Sequence, residues 1–257
     1  MAWPDGERRR PVSVRNRLIE TVAETGSTNA DLLARLDAGE ALHEGHWLIA
    51  NRQGAGRGRQ GRVWQDASGN FMGSTPVAIR SDNLPPHTLS LVAGLAVFEA
   101  VVPLLPPTAR PMLKWPNDVM LHGAKLAGIL LERSGDTIIV GIGVNLATAP
   151  DVADRKAIAL AHFGPPPDRD LFAQNLAERF AQELERWRTY GVDLLIRRWS
   201  EAAHPVGTPL TVWPPGEEPL SGSFAGMTDE GNLRLALANN RQRVIHAGDV
   251  VLQEEAR

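Results

Sequence analysis

Three arginines and four glycines alternate through residues 54–62, Gly-Ala-Gly-Arg-Gly-Arg-Gln-Gly-Arg, directly after an apolar run. Glycine lets backbone N–H groups approach an anion closely, and the arginine fork pairs two oxygens of a phosphate or carboxylate at once. The chemistry this pattern offers is anion binding. Gly56, Gly58 and Gly61 also satisfy the spacing of a dinucleotide fingerprint, but Val63 and Trp64 lead into a Ser-Gly-Asn turn and a predicted strand where that fingerprint needs a helix. No Gly-Lys-Ser/Thr follows, which excludes a P-loop. Taken alone, the segment fits equally a solvated turn or a nonspecific contact with RNA. The high ordering entropy of glycine predicts a loop that orders when its anion arrives.

Two further clusters stand downstream. Lys114-Trp115-Pro116-Asn117-Asp118 closes a short apolar run, where Lys114 brings a point charge suited to phosphate oxygens; a surface lysine beside a packed tryptophan reads the same way. Residues 125–130, Lys-Leu-Ala-Gly-Ile-Leu, and 140–145, Val-Gly-Ile-Gly-Val-Asn, are predicted to pair as a hairpin. Gly128, Gly141 and Gly143 would leave room there for a ligand, or only for close backbone packing. There is no cysteine, no G-x-S-x-G elbow and no H-E-x-x-H, and His43 and His46 read as solvent-exposed residues flanking a loop. Cations around an anion, with no nucleophile or metal cage, suit a reaction driven by alignment and charge neutralisation, such as nucleotidyl or phosphoryl transfer.

These residues need a scaffold. With 257 residues, 43% of them hydrophobic, and a net charge of −3, the chain is globular and has no global basic field for a nucleic-acid backbone. Strands are expected at Leu18–Val22, His46–Arg52, Phe71–Ile79 and along the 119–144 meander. Helices are expected after Ser27-Thr28-Asn29, over Leu89–Val102, and over Asp168–Tyr190 with Leu171, Phe172, Leu176, Phe180, Leu184 and Trp187 on its apolar face. Past His204 the pattern turns to short β runs broken by Pro-Pro-Gly, Asp-Glu-Gly and Asn-Asn. The expected fold is α+β: a mixed, largely antiparallel sheet packed by helices (1–203), then a small C-terminal β-barrel (204–257). Arg8, Arg9 and Arg10 precede a polar stretch rather than a signal-peptide core, and Leu89–Leu105 is shorter than the ~20 residues of a bilayer span, so a cytoplasmic location is expected.

Five of these segments resemble, in order, the motifs of the bacterial biotin protein ligases, which attach biotin to the carrier domain of biotin-dependent carboxylases. Ser27-Thr28-Asn29 is similar to S-T-N, Gln53 with residues 56–62 and Trp64 to Q-x-x-G-R-G-R-x-G-R-x-W, residues 114–118 to K-W-P-N-D, 125–130 to K-L-A-G-I-L and 141–145 to G-I-G-V-N. The C-terminal β segment is similar to the family's small barrel. The resemblance implies an ATP-dependent, AMP-forming biotin–[biotin carboxyl carrier protein] ligase that makes biotinyl-5'-AMP with magnesium present and then biotinylates a specific lysine.

It also assigns residues. Lys114, Arg57 and Arg59 are implied as the catalytic cations. Ser27, Thr28, Asn29, Gln53, Arg57, Gly58, Arg59, Lys114 and Gly128 are implied for biotin, and Arg57, Arg59, Trp64, Lys114, Asn117, Lys125 and Asn145 for ATP; the magnesium ligands are unassigned. Trp64 would stack on adenine or serve structure alone. The implied partner is a biotin carboxyl carrier domain, with no membrane, and a homodimer is left open. Only 26 residues precede Ser27, too few for the helix-turn-helix domain of some members, so no binding to DNA is expected. A lipoate-type ligase is the alternative within the class, although those relatives lack the Gly/Arg loop. A nucleic-acid-binding module is the alternative outside it.

Overall fold

The computed structural model describes residues 18–65, 67–79, 84–151, 156–238 and 241–253; the Arg8–Arg10 run lies outside them. Seven strands form the main sheet: β1 (Leu18–Thr25), β2 (His46–Gln53), β3 (Phe71–Ala78), β4 (Met112–Lys114), β5 (Asp118–Leu121), β6 (Ala124–Ser134) and β7 (Thr137–Val144). Their order is β1-β2-β3-β7-β6-β5-β4, and only β1 and β2 run parallel. The parallel pair needs a crossover, supplied by α1 (Thr28–Asp37), while the meander from β4 to β7 closes through short turns.

Strand β7 is apolar on both faces because both are covered. On one face Val140, Ile142 and Val144 join the main core beneath two helices, α2 (Leu89–Val101) and α3 (Arg169–Ala202). On the other, Ile139 meets Leu32 of α1 and Leu48 of β2. The run Pro86–Leu104 is long and apolar enough to cross a membrane, but 61% of its most apolar stretch is buried inside the protein, as expected of a core helix. Buried Glu183 of α3 pairs with Arg186 and Arg198, and Arg198 also holds Glu99 of α2, so α2 and α3 are clamped through charges whose partners are all in place. Leu171, expected on the buried face of α3, is instead 66% exposed, one position off the stripe that Phe172 and Leu176 follow inward. Gly191 interrupts the helix at φ 76° and ψ −168°.

The remaining strands are β8 (Pro209–Trp213), β9 (Leu220–Met227), β10 (Leu233–Ala236), β11 (Gln242–Ile245) and β12 (Asp249–Leu252). They form an open sheet ordered β11-β10-β9-β8-β12, which corrects the expected barrel. Closure would require β11 to hydrogen-bond with β12, and these are the two edges, with no ladder between them. Backbone carbonyls at the β12 edge serve side chains of β4 and of the Gly/Arg loop instead: Lys114 donates to Val250 and Arg59 to Gly248. The apolar side of the small sheet, including Leu210, Phe224, Leu233 and Ile245, is continuous with the main core.

The backbone at Gly191 generates a stability prediction. The position is open in space, so a methyl group would meet nothing, yet its dihedrals lie where only glycine is at ease. Gly191→Ala is expected to cost about 1–3 kcal/mol of unfolding free energy, read as a lower denaturant midpoint at unchanged slope.

Candidate active site

The pairing register brings the chemistry together. Residues directly opposite across strands share a face, and one such row runs Met72, Gly143, Gly128, Asp118, Lys114 across β3, β7, β6, β5 and β4. The adjacent row runs Leu48, Ser74, Gly141, Leu130. Lys125 lies three residues before Gly128, and in a regular strand it would face the opposite side. The register shift between Val119 and Met120 brings Lys125 opposite Met120, on the face of Asp118. This bulge is what puts a second lysine into the site.

The three glycines of the hairpin make room for side chains of this chain. A Cβ on Gly141 would fall 2.3 Å from Asn29 Oδ1, and one on Gly143 2.4 Å from the indole of Trp64. At Gly128 it would meet Lys125 Nζ at 2.9 Å and Trp64 at 3.2 Å. Lys125 Nζ in turn sits 5.8 Å from the centre of the Trp64 ring. The result is a cavity of about 570 Å³ above the glycine rows. Ser27, Thr28, Asn29, Gln53, Arg57, Gly58, Arg59, Trp64, Lys114, Asn117, Lys125 and Gly128 all line it, which brings together every expected site residue but one. The exception is Asn145, whose side-chain amide donates to the carbonyls of Lys125 and Ile158 and thereby braces the bulged strand.

Over Gly141 the lining is uncharged and fully hydrogen-bonded. Ser27 caps α1, Gln53 Oε1 accepts the backbone N–H of Thr28 at 2.8 Å, and Thr28, Ser74 and Asn29 form a contiguous set at 2.6 Å spacings. Ser74 is a site residue that sequence reasoning missed; its place opposite Gly141 follows only from the register.

Over Gly128 the lining is charged. Asp118 is ion-paired with Lys125 Nζ at 2.6 Å on one oxygen and with Lys114 Nζ at 3.0 Å on the other. Burial alone would raise its pKa, but Lys125 and Lys114 outweigh that and hold the carboxyl well below the usual carboxylate range. Arg59 reaches in from the Gly/Arg loop, bonded to Asn117 Oδ1 at 3.2 Å and to the Gly248 carbonyl at 3.1 Å. Arg62 pairs with Asp249, and Arg57, exposed at the mouth, forms a backbone bridge with Val63. The loop is thus latched to the edge of the small sheet by two arginines. Asp118, part of the Lys-Trp-Pro-Asn-Asp segment but not expected in the site, is its electrostatic centre.

Of the two histidines expected to be exposed, His43 is exposed and His46 departs from expectation. His46 is not exposed: it is the buried first residue of β2, with Nε2 3.1 Å from Glu20, whose carboxylate also takes both Nη atoms of Arg35. His204 also lines the cavity, 9% exposed. Among the described residues no group of three or more His, Cys, Asp or Glu side chains is placed to hold a metal ion.

Burial, reinforced by Lys114, pushes His204 down to about 4 from the ordinary 6.5. Between those values the unfolded chain binds a proton that the folded one refuses, so the contribution is favourable above pH 6.5 and fades as pH falls toward 4. The expected loss is up to about 3 kcal/mol by pH 4. His204→Gln should flatten that part of the stability profile in urea titrations between pH 4 and 7; a slope equal to the wild type would contradict it.

Residues 23–146 match the Biotin/lipoate A/B protein ligase family and residues 215–253 the Biotin protein ligase C terminal domain. Over 240 residues the chain is 39% identical to the biotin–[acetyl-CoA-carboxylase] ligase of Mycobacterium tuberculosis, covering 91% of this chain and 89% of that one. Identity is also 39% over 240 residues with the ligase of the same name from Paracoccus denitrificans, covering 89% and 98%. The biotin protein ligase from Aquifex aeolicus, solved in complex with biotin and ATP, superposes with a TM-score of 0.81 at 26% identity, covering 93% of this chain and 100% of that one. With the motifs, the sheet and the cavity in agreement, the chain belongs to the bacterial biotin–[acetyl-CoA-carboxylase] ligase family.

Proposed function

We propose that the cavity carries out the family's two-step reaction. An oxygen of the biotin carboxylate attacks the α-phosphorus of ATP, forming biotinyl-5'-AMP as pyrophosphate leaves. The amine of an acceptor lysine on a carrier domain then attacks the acyl carbon, an amide forms and AMP leaves. One observation carries the reading: the same sheet face holds a neutral hydrogen-bonding end over Gly141 and, two residues (roughly 7 Å) along β7, a cationic end over Gly143 and Gly128. That ordering fits a molecule with an uncharged polar head and an acidic tail, and supports assigning the tail and a triphosphate to the same cationic end.

Ser27, Thr28, Asn29 and Gln53 are assigned to the ureido head, whose burial without partners would be costly. Arg57, Gly58, Arg59, Lys114, Lys125 and Gly128 are assigned to the meeting point of carboxylate and phosphate, with Trp64 and Asn117 toward the nucleotide. Lys114 and Lys125 share one carboxylate, so an arriving anion finds charge already desolvated and positioned, which is what electrostatic catalysis requires. Magnesium enters as part of MgATP. Asp118 and Asp249, the carboxylates lining the cavity, already face cations, a donor set that fits an ion held mainly by triphosphate oxygens. Residues 204–257 are assigned as a functional unit that latches the Gly/Arg loop, and the mouth beside Arg57 is the entry for the carrier lysine. The cytoplasm, where such carriers are made and no disulfide is needed, is the assigned location.

Pyrophosphate release from MgATP is expected to require biotin and to be unsupported by lipoate, followed by labelling of a carrier lysine; release indifferent to biotin would overturn the reading. Lys114→Ala and Lys125→Ala should each slow single-turnover adenylation by about 100-fold, with far-UV spectra unchanged. Arg59→Ala, which unlatches the loop from Asn117 and Gly248, is expected to let biotinyl-5'-AMP escape faster in a trap assay.

A further inference from the structure

One cluster at the site is not used by the reaction above: Glu132, on β6, is half-buried, and its Oε2 accepts from Asn29 Nδ2 at 2.7 Å. It stands at the end of a chain of groups whose proton directions can be worked out. A carboxylate only accepts, so Asn29 must turn its amide nitrogen to Glu132 and its Oδ1 to Ser74. Ser74 Oγ, fully buried, donates to that Oδ1 at 2.6 Å. A serine hydroxyl has one proton, and this contact uses it. The 2.6 Å contact between Ser74 Oγ and Thr28 Oγ1, whose direction distance alone leaves open, must then run from Thr28 to Ser74. Gln53 Oε1, which accepts the Thr28 backbone N–H at 2.8 Å and has a second lone pair, is another acceptor for the same proton at 3.0 Å, so in either direction the proton of Thr28 stays within this set of side chains and is not offered to a ligand.

The end of the chain is therefore an oriented hydroxyl. Thr28 lines the cavity, and a hydroxyl whose proton is spent on Ser74 or Gln53 can meet a ligand only as an acceptor. Without Glu132 the Asn29 amide can rotate by half a turn, both hydroxyls can reverse, and Thr28 can offer either role. Gly141 makes the arrangement possible, since any side chain there would occupy the space of the Asn29 amide.

We infer that Glu132 is a positioning residue for ligand selection: acting through Asn29 and Ser74, it fixes Thr28 as a hydrogen-bond acceptor that selects a ligand presenting an N–H donor, as one edge of a cyclic urea does. The inference rests on the reading of this cavity as the biotin site. It separates Glu132 from the residues that touch substrate, and it accounts for a carboxylate on the uncharged side of a site built for an acid.

The test is calorimetric titration of the full chain with biotin and with its two ureido N-methyl isomers, alongside ATP. Wild type is expected to bind biotin and to reject at least one isomer. Glu132→Ala should weaken biotin about 10-fold, roughly one lost charge-assisted hydrogen bond, and narrow the discrimination against that isomer, while ATP affinity stays at the wild-type value. Glu132→Gln, which can accept from Asn29 but can also donate to it and so only partly fixes the amide, should fall between wild type and the Ala variant. If Glu132→Ala does not fold, Ser74→Ala breaks the same chain at its centre and carries the same expectation. Unchanged biotin affinity and isomer preference in the folded Ala variants would overturn the role of Glu132, as would a Gln variant impaired as severely as Ala. A wild type that binds no biotin would instead overturn the site reading beneath it.

Discussion

Two lysines held on one buried carboxylate set the terms for the proposed active site. Joining a carboxylate to a triphosphate sets anion against anion, so positive charge must stand ready in a partly desolvated cavity, where it is worth more than in water. Unpaired ammonium groups would be expensive to keep there. Asp118 solves the problem by pairing with both Lys114 and Lys125 while its own proton affinity is held down by them. Each lysine has further donors to offer, so an incoming anion can be bound without first breaking the pair.

The sheet exists, in functional terms, to build this arrangement and the neutral end beside it. Cross-strand register aligns Gly143, Gly128, Asp118 and Lys114, and the bulge on β6 turns Lys125 onto the same face. The glycines of β6 and β7 are cavities filled by Asn29, Trp64 and Lys125, so strand sequence and site geometry are one constraint. The small sheet contributes through its open edge: carbonyls that would close a barrel ladder accept from Arg59 and Lys114. A closed barrel would spend on itself the carbonyls the site uses.

Much of this was legible from residue types. Apart from β4, the strands follow from apolar runs and turn residues, and of the expected site residues only Asn145 lies off the cavity, a polar residue at a strand end whose amide serves backbone carbonyls. What could not be read is what depends on register and closure. Nothing in the residue types singled out Asp118, Ser74 or Glu132; the rows of the sheet bring Asp118 and Ser74 to the cavity and Glu132 to Asn29 beside it. Whether five short strands close depends on shear and edge pairing, which local pattern does not encode. His46 was misplaced because its partner Glu20 is 26 residues away on the neighbouring parallel strand.

The central claim is most directly tested by a crystal structure of the protein with a non-hydrolysable biotinyl-adenylate analogue. The account requires the ammonium groups of both Lys114 and Lys125 within about 3 Å of the analogue's acyl-phosphate oxygens, with Asp118 still beneath them. Lysines that stay on Asp118 without touching the ligand, or that turn away into solvent, would contradict it.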